Sequence, residues 1–402
     1  MSSYKSTPGR RSAFGGGRRK TYYAAPKSNN RRSHGQYIDP ARFIRVAKPT
    51  IVTEYVAQHQ FSDFPVASLL HTNLAQKGYQ TPSPIQDQTI AVALEGRDVI
   101  GIANTGTGKT AAFAIPVLDK LINDNQSRAL IIAPTRELAQ QIEAECKELA
   151  RGSGLSGAVL IGGTSMGPQL RDLRARPRIV IGTPGRIKDH LERGTLRLEH
   201  FNLLVLDEVD RMLDMGFLPD VTTILSQVSP ERQSFFFSAT LDSKVRTLIN
   251  TFANDPESIS VKSGDTSESV HQNVVHYQSK EQKIDLLHNI LIDGSVEKTI
   301  VFDDTQRSVE RLSKELIARG FQADAIHGGK SQGQRQRALD KFKKSEVKVL
   351  VATDVAARGI DVVDITHVIN YSTPQSYEDY VHRIGRTGRA GRTGYALTFV
   401  TK

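Results

Sequence analysis

Short apolar runs recur along this chain and alternate with longer segments whose apolar positions fall at helical spacing. Residues 98–102, 129–133, 157–161, 178–181, 203–206 and 234–237 are apolar without alternation, the pattern of strands covered on both faces. Between them, Phe64, Val66, Leu69, Leu70 and Leu74 predict a helix over 63–77, Ala111-Ala112-Phe113-Ala114-Ile115 open a second, and 137–150 is a third. Strand, crossover, strand predicts a parallel sheet with helices on both faces. At 262–269 the chain turns polar, small and without period, and reads as a linker. The grammar then restarts, with strands at 270–277, 299–302, 323–326, 347–351, 367–370 and 395–400 and helices at 306–319 and 332–343. The fold class is α/β: a first domain over 41–261 and a second over 270–402, with a cleft between them. Ligands of open parallel sheets collect at the carboxyl ends of strands, so those ends carry the chemistry.

Composition narrows the class. The 402 residues suit two or three domains, and 24% charged with 38% hydrophobic residues fits a soluble protein. No apolar run approaches a membrane span and no signal peptide follows the N-terminus, which predicts a cytoplasmic protein without a membrane partner. The one cysteine, Cys146, excludes an internal disulfide and a cysteine zinc site. Residues 1–47 hold eleven Lys/Arg against one acid, Asp39, which accounts for the whole net charge of +10. Gly/Ser-rich and without periodicity, residues 1–40 are expected to form a disordered basic tail. Tyr4, Phe14, Tyr22, Tyr23 and Tyr37 lie among its arginines. Such a tail can add phosphate contacts and base stacking, or can simply solubilise.

Two strand ends stand out. Ala103-Asn104-Thr105-Gly106-Thr107-Gly108-Lys109-Thr110 lies between a buried strand and a helix. Backbone N–H groups of such a turn point at an anion, the Lys109 ammonium reaches terminal phosphates, and the Thr110 hydroxyl suits a Mg²⁺ ion. Its first position is Ala103 where the generic phosphate loop has glycine. Strand 203–206 ends in Asp207-Glu208-Val209-Asp210. Beside a phosphate turn, Asp207 can hold the metal and Glu208 can orient and deprotonate a water.

From about residue 61 to the C-terminus the chain resembles the DEAD-box RNA helicases, of bacterial type with a basic tail. The resemblance implies two tandem RecA-like domains, stacking of adenine on Phe61 and hydrogen bonds from Gln86 to its edge. It assigns Thr105, Gly106, Thr107, Gly108, Lys109 and Thr110 to the phosphates, Ala103 included in the family's loop. Val209 is a departure at a position without a catalytic atom. Ser238-Ala239-Thr240 is similar to the element that couples hydrolysis to RNA through hydroxyl bonds to Asp210. His382-Arg383-Ile384-Gly385-Arg386-Thr387-Gly388-Arg389 resembles the arginine-finger motif, with Arg386 and Arg389 facing the γ-phosphate and His382 in coupling; Asp361 resembles the ribose contact. RNA contacts are implied for Pro134, Thr135 and Arg136, for Gly162 and Gly163, and for Thr183, Pro184, Gly185 and Arg186. Gln332, Arg335, Thr353 and Asp354 are their counterparts in the second domain, where Gly329 replaces a customary aspartate. The implied activity is RNA-dependent ATP hydrolysis with ATP and Mg²⁺, separating short RNA duplexes or remodelling ribosomal or other RNA–protein complexes by closure around ATP and single-stranded RNA, in a monomer. A DNA-directed translocase and a non-hydrolysing RNA clamp are the alternatives.

Overall fold

The computed structural model describes residues 38–47, 55–104, 106–261, 269–357, 362, 364–388 and 392–402. The first sheet contains β1 (Val99–Ile102), β2 (Ala129–Ile132), β3 (Gly157–Leu160), β4 (Ile179–Gly182), β5 (Leu203–Leu206), β6 (Gln233–Ser238) and β7 (Glu257–Ser260). Their order is β3-β4-β2-β5-β6-β1-β7, and every neighbouring pair is parallel. β2, β4 and β5 are buried at every position, which is the reason their sequences run apolar without alternation. Alternate residues serve opposite layers. Ile131, Val205, Phe235 and Phe237 join the core under the helix Lys109–Asn123, whereas Ile132, Leu206 and Phe236 join the core that contains Met212 and Val221. At about 1.5–3 kcal/mol for each large apolar side chain buried, these two layers hold the strand ends in place.

The second sheet contains β8 (Val270–Tyr277), β9 (Thr299–Phe302), β10 (Ala323–Ile326), β11 (Val349–Ala352), β12 (His367–Asn370) and β13 (Gly394–Thr401). The order is β10-β11-β9-β12-β13-β8, again parallel throughout. Two RecA-like α/β domains follow. Because each sheet is parallel, every strand of a domain delivers its carboxyl end to one edge.

Three features depart from the sequence pattern. β7 was not expected: Glu-Ser-Ile-Ser is polar, and as an edge strand beside β1 it buries only Ile259. The helix expected from residue 63 begins at Ser68, because Asp63 instead accepts from the Gln60 N–H and the Ala67 N–H is taken by Asp119. Residues 38–47, divided in the sequence between the tail and the first domain, pack on the second: Ile38 and Phe43 are buried with Val270 and Tyr380. The rest of the expected tail and the linker residues 262–268 lie outside the described residues.

Candidate functional site between the two domains

The phosphate turn follows β1 directly. Gly106 and Gly108 have φ of +84° and +89°, a region L side chains avoid, and a Cβ on Gly108 would overlap the Gln86 amide. Lys109, buried at the start of its helix, donates from Nζ to Ala103 O at 2.9 Å. Gln86 is bound into the same turn: its Nε2 donates to Gly108 O at 3.1 Å and its Oε1 accepts from Ser83 N–H at 2.8 Å, while Ser83 Oγ donates to Thr107 O at 2.8 Å. The residue assigned to adenine thus also braces the loop. Phe61 is buried edge-on to Tyr79, with ring centroids 5.1 Å apart, and lines a surface hollow with Gln60, His71, Tyr79 and Gln80. Thr110 stands one position into the helix, half-buried. Thr105 lies outside the described residues.

β5 delivers Asp207 and Glu208, both buried. Glu208 sits at φ 54°, ψ 55°, unusual for a residue with a side chain, and its N–H donates to Asp207 Oδ1 at 2.9 Å. Burial, with Glu208 and Asp210 beside it, pushes the Asp207 carboxyl up to about 6 against the pull of Lys109. Glu208 goes the other way. Burial alone would raise it, but Arg211, Lys109 and Arg386 outweigh that and take it down to about 2. Asp207 therefore has the character of an anion in want of a cation, with Thr110 across the turn to share one, and Glu208 that of a fully charged carboxylate.

Asp210 ties β5 to β6. Its Oδ2 accepts from Ala239 N–H at 3.0 Å, Thr240 N–H at 2.9 Å and Thr240 Oγ1 at 3.1 Å. The Ser238 hydroxyl also bonds Asp210, accepting from its N–H at 3.3 Å, and donates to Thr240 O at 2.7 Å, while the carboxylate is held by Ala239 and Thr240.

The second domain completes the cleft. The helix Tyr377–Ile384 carries His382, and Arg386 follows it, buried, with Nε donating to His382 O at 3.3 Å. A cavity of about 260 Å³ is lined by Lys109, Glu208 and Thr240 from one domain and by His382 and Arg386 from the other. Arg389 and Asp361 lie outside the described residues.

The residues assigned to RNA form a second group on the same sheet edges. Thr135 caps the helix Arg136–Leu149, its Oγ1 accepting from Leu138 N–H at 3.3 Å. Pro134 is buried and Arg136 half-buried. Gly162 and Gly163, after β3, make room for the Arg136 guanidinium; a Cβ on Gly163 would overlap it. Thr183, Pro184, Gly185 and Arg186 form the turn after β4 and the start of the helix Pro184–Glu192, with Arg186 Nη1 near Thr164 O at 3.4 Å. Arg136 is made harder to ionise by burial and then by the charges of Arg335 and Arg186. Gln332 and Arg335 face the first domain across the cleft. Gln332 Nε2 donates to Glu137 Oε1 at 3.1 Å and Gln140 Oε1 at 2.8 Å, and Arg335 Nη2 meets Glu137 Oε1 at 2.9 Å, so both bridge the domains. Asp354 likewise receives Arg383 Nε at 2.5 Å and Nη2 at 2.7 Å, with Thr353 beside it after β11. Arg211, which binds Glu208, was missed by the sequence reading although its spacing of three on a helix signals such a pair. Among the described residues no helix is long and apolar enough to cross a membrane.

Comparison with known proteins agrees with this geometry. The profile of the DEAD/DEAH box helicases matches residues 83–248, and that of the helicase conserved C-terminal domain matches residues 282–391. The chain is 47% identical over 343 residues to an ATP-dependent RNA helicase CshA of Listeria monocytogenes, covering 85% of this chain and 66% of that one. It is 45% identical over 343 residues to a DEAD-box ATP-dependent RNA helicase CshA of Geobacillus kaustophilus, covering 85% of this chain and 73% of that one. Among solved structures it is similar to S. cerevisiae Dbp5 bound to RNA and ADP BeF3, with a TM-score of 0.75 and 28% identity over 85% of this chain and 89% of that one. The two profile matches and the relatives at 45% and 47% identity place this chain in the DEAD-box family of ATP-dependent RNA helicases.

Proposed function

We propose that this chain hydrolyses ATP when single-stranded RNA is bound, and uses the accompanying closure of its domains to separate short RNA duplexes or to remodel RNA–protein complexes. The observation that carries the reading is the shared cavity. Lys109 and Glu208 project into it from one domain and Arg386 from the other, so the reaction's charges are assembled only while the two domains are together.

Glu208 is the base that orients and deprotonates the attacking water, kept in its charged form at neutral pH by Arg211, Lys109 and Arg386 around it. Lys109 neutralises the terminal phosphates, and Arg386 stabilises charge spread over the transferring oxygens. Asp207 and Thr110 fit a Mg²⁺ ion: Asp207 is raised by burial beside two other carboxylates, a cost that a cation relieves. When bound it supplies neutralisation of the β- and γ-phosphate oxygens. Asp210 relays the state of this site to Ala239 and Thr240 through three hydrogen bonds.

Arg335 and Arg186 repel Arg136, a repulsion that phosphates of a bound strand remove. Contacts to backbone carry little base information, so sequence preference is weak and 2′-hydroxyls distinguish RNA from DNA. RNA binding at Gln332 and Arg335 proceeds alongside their bonds to Glu137. The protein acts as a cytoplasmic monomer. The test is an ATPase assay with and without single-stranded RNA, comparing wild type with Lys109→Ala. Stimulation by RNA that disappears in the variant is expected; an equal rate with and without RNA overturns the reading.

A further inference from the structure

A short segment near the N-terminus is built into the second domain. Asp39 caps the single turn Pro40–Phe43, its Oδ1 accepting from the Ala41 N–H at 2.9 Å, and Pro40 fixes the backbone at the first position of that turn. Phe43 follows, fully buried, its ring centroid 4.6 Å from that of Tyr380 in the helix Tyr377–Ile384. Ile38 joins the two rings in a cluster with Val270, Ile384, Ala396 and Val400. Arg42 lays its guanidinium 3.9 Å over the Tyr377 ring. The backbone then pairs with β8: Arg45 donates its N–H to Gln272 O at 2.9 Å and accepts from the Gln272 N–H at 2.7 Å. The Gln272 side chain accepts from the Tyr380 hydroxyl at 2.9 Å. Tyr380 is thereby held twice, by the Phe43 ring and through Gln272 by the strand on which Arg45 is paired.

The helix held in this way turns another face to the nucleotide site. Tyr380 and Ile384, one turn apart, share the side that meets Phe43. His382 stands about 200° around the axis from Tyr380 and, with Gly385 and Arg386, lines the cavity that Lys109 and Glu208 enter from the first domain. Arg386 Nε donates to His382 O at 3.3 Å, so the guanidinium is carried by the end of this helix. On a further side Arg383 is fixed by Asp354. Phe43 does not line the cavity, and whatever it does there it does through the helix.

We propose that Phe43 is a positioning residue for Arg386: residues 38–45 back the helix Tyr377–Ile384 on the side away from the cavity and set where its end delivers the guanidinium. These residues precede the first position, 83, that either helicase profile matches, so the backing is an addition to what the two profiles describe. Without the ring, Tyr380 and Ile384 lose a neighbour in a closely packed cluster and the helix settles towards the gap. A shift on the order of 1 Å at a group acting in the transition state costs up to about 10²-fold in rate. Binding of ATP and RNA, which other residues carry, is left largely as it was.

The inference rests on the role given above to Arg386 in hydrolysis, and the experiment separates the two. ATPase rates of the full chain are measured at saturating RNA for wild type, Phe43→Ala, Arg386→Ala, the double variant and Phe43→Leu, with single-turnover assays for the slow ones. Phe43→Ala should lower kcat about 10–100-fold, with KM for ATP and the half-saturating RNA concentration within about twofold. In the Arg386→Ala background the same substitution should cost less than about threefold, because no guanidinium is left to misplace. Phe43→Leu, which keeps an apolar plug, should stay within about threefold of wild type. If Phe43→Ala does not melt as a single folded species, Phe43→Val takes its place, with a loss of about threefold to tenfold that again vanishes without Arg386. An equal fold-loss in both backgrounds, or a folded Phe43→Ala within about twofold of wild type, overturns the positioning role. Arg386→Ala within about tenfold of wild type overturns the underlying reading instead.

Discussion

Arg211 donates through Nη1 to Glu208 Oε2 across 2.5 Å, one helical turn from the carboxylate proposed above as the base and with both side chains buried. The pair is formed within one domain, so it aims Glu208 before the second domain arrives. Removing one member of a buried pair leaves the other charge uncompensated, and a base displaced by about 1 Å can cost on the order of 10²-fold in rate. Arg211→Ala is expected to lower kcat about 10–100-fold with little change in KM for ATP, and Arg211→Lys to restore part of it. A KM change without a kcat change would place Arg211 in binding instead.

Arg386 faces Glu208 and Lys109 from the far side of the cavity. Arginines that reach a transferring phosphoryl group from another domain are worth roughly 10³–10⁵ in rate. Arg386→Ala should lose a factor of that order in RNA-stimulated kcat while nucleotide binding, followed by fluorescence of a labelled analogue, stays within about tenfold. A kcat within about tenfold of wild type contradicts the assignment.

Arg136 is crowded by Arg335 and Arg186 and has Gly163 cut away beneath its guanidinium. If it meets an RNA phosphate, Arg136→Ala should weaken RNA uniformly across sequences. The slope of log affinity against log salt should fall by about 0.7, the value for one contact to a single strand. An unchanged slope means that the guanidinium contacts no phosphate.

Glu378 brings a negative charge from the second domain towards Asp214, Asp210 and Asp242 of the first, with Asp379 beside it. Burial, then these carboxylates, hold its own carboxyl above the usual 4.5. The raised value fixes the sign. The closed arrangement binds the proton more tightly, so closure is favoured below the usual value and that advantage is lost as pH rises through the raised one. Because Glu378 is exposed and solvent screens it, Glu378→Gln should lower the half-saturating RNA concentration at neutral pH by at most about twofold. It should also flatten the rise in RNA affinity on the acid side. A variant that binds RNA more weakly would show the carboxylate to be a contact in its own right.

The strands were legible because β2, β4 and β5 are buried on both faces and so are apolar at every step. β7 was not, since an edge strand with one buried residue has no pattern to read. Lys109, Glu208 and Arg386 could be gathered at one site from sequence because parallel strands put their ends on a common edge and the resemblance supplied the partner domain. What residue types do not say is which neighbour a side chain chooses. Gln332 and Arg335 are equally suited to phosphate and to carboxylate, and Glu137 is the partner they have here. Phe43 was overlooked for a related reason: a single aromatic among basic and polar residues has no period, and its burial depends on β8 and Tyr380, more than two hundred residues further along.

β1 lies between β6 and β7, both made long after it. A ribosome that has released the phosphate turn must still synthesise through Ser260 before that turn gains its flanking strands, and β8 waits likewise for β13 at the far end of the chain. The newborn protein therefore completes this site late and in steps, and a chain stalled short of residue 233 carries the phosphate turn on a strand with no neighbour to hold it.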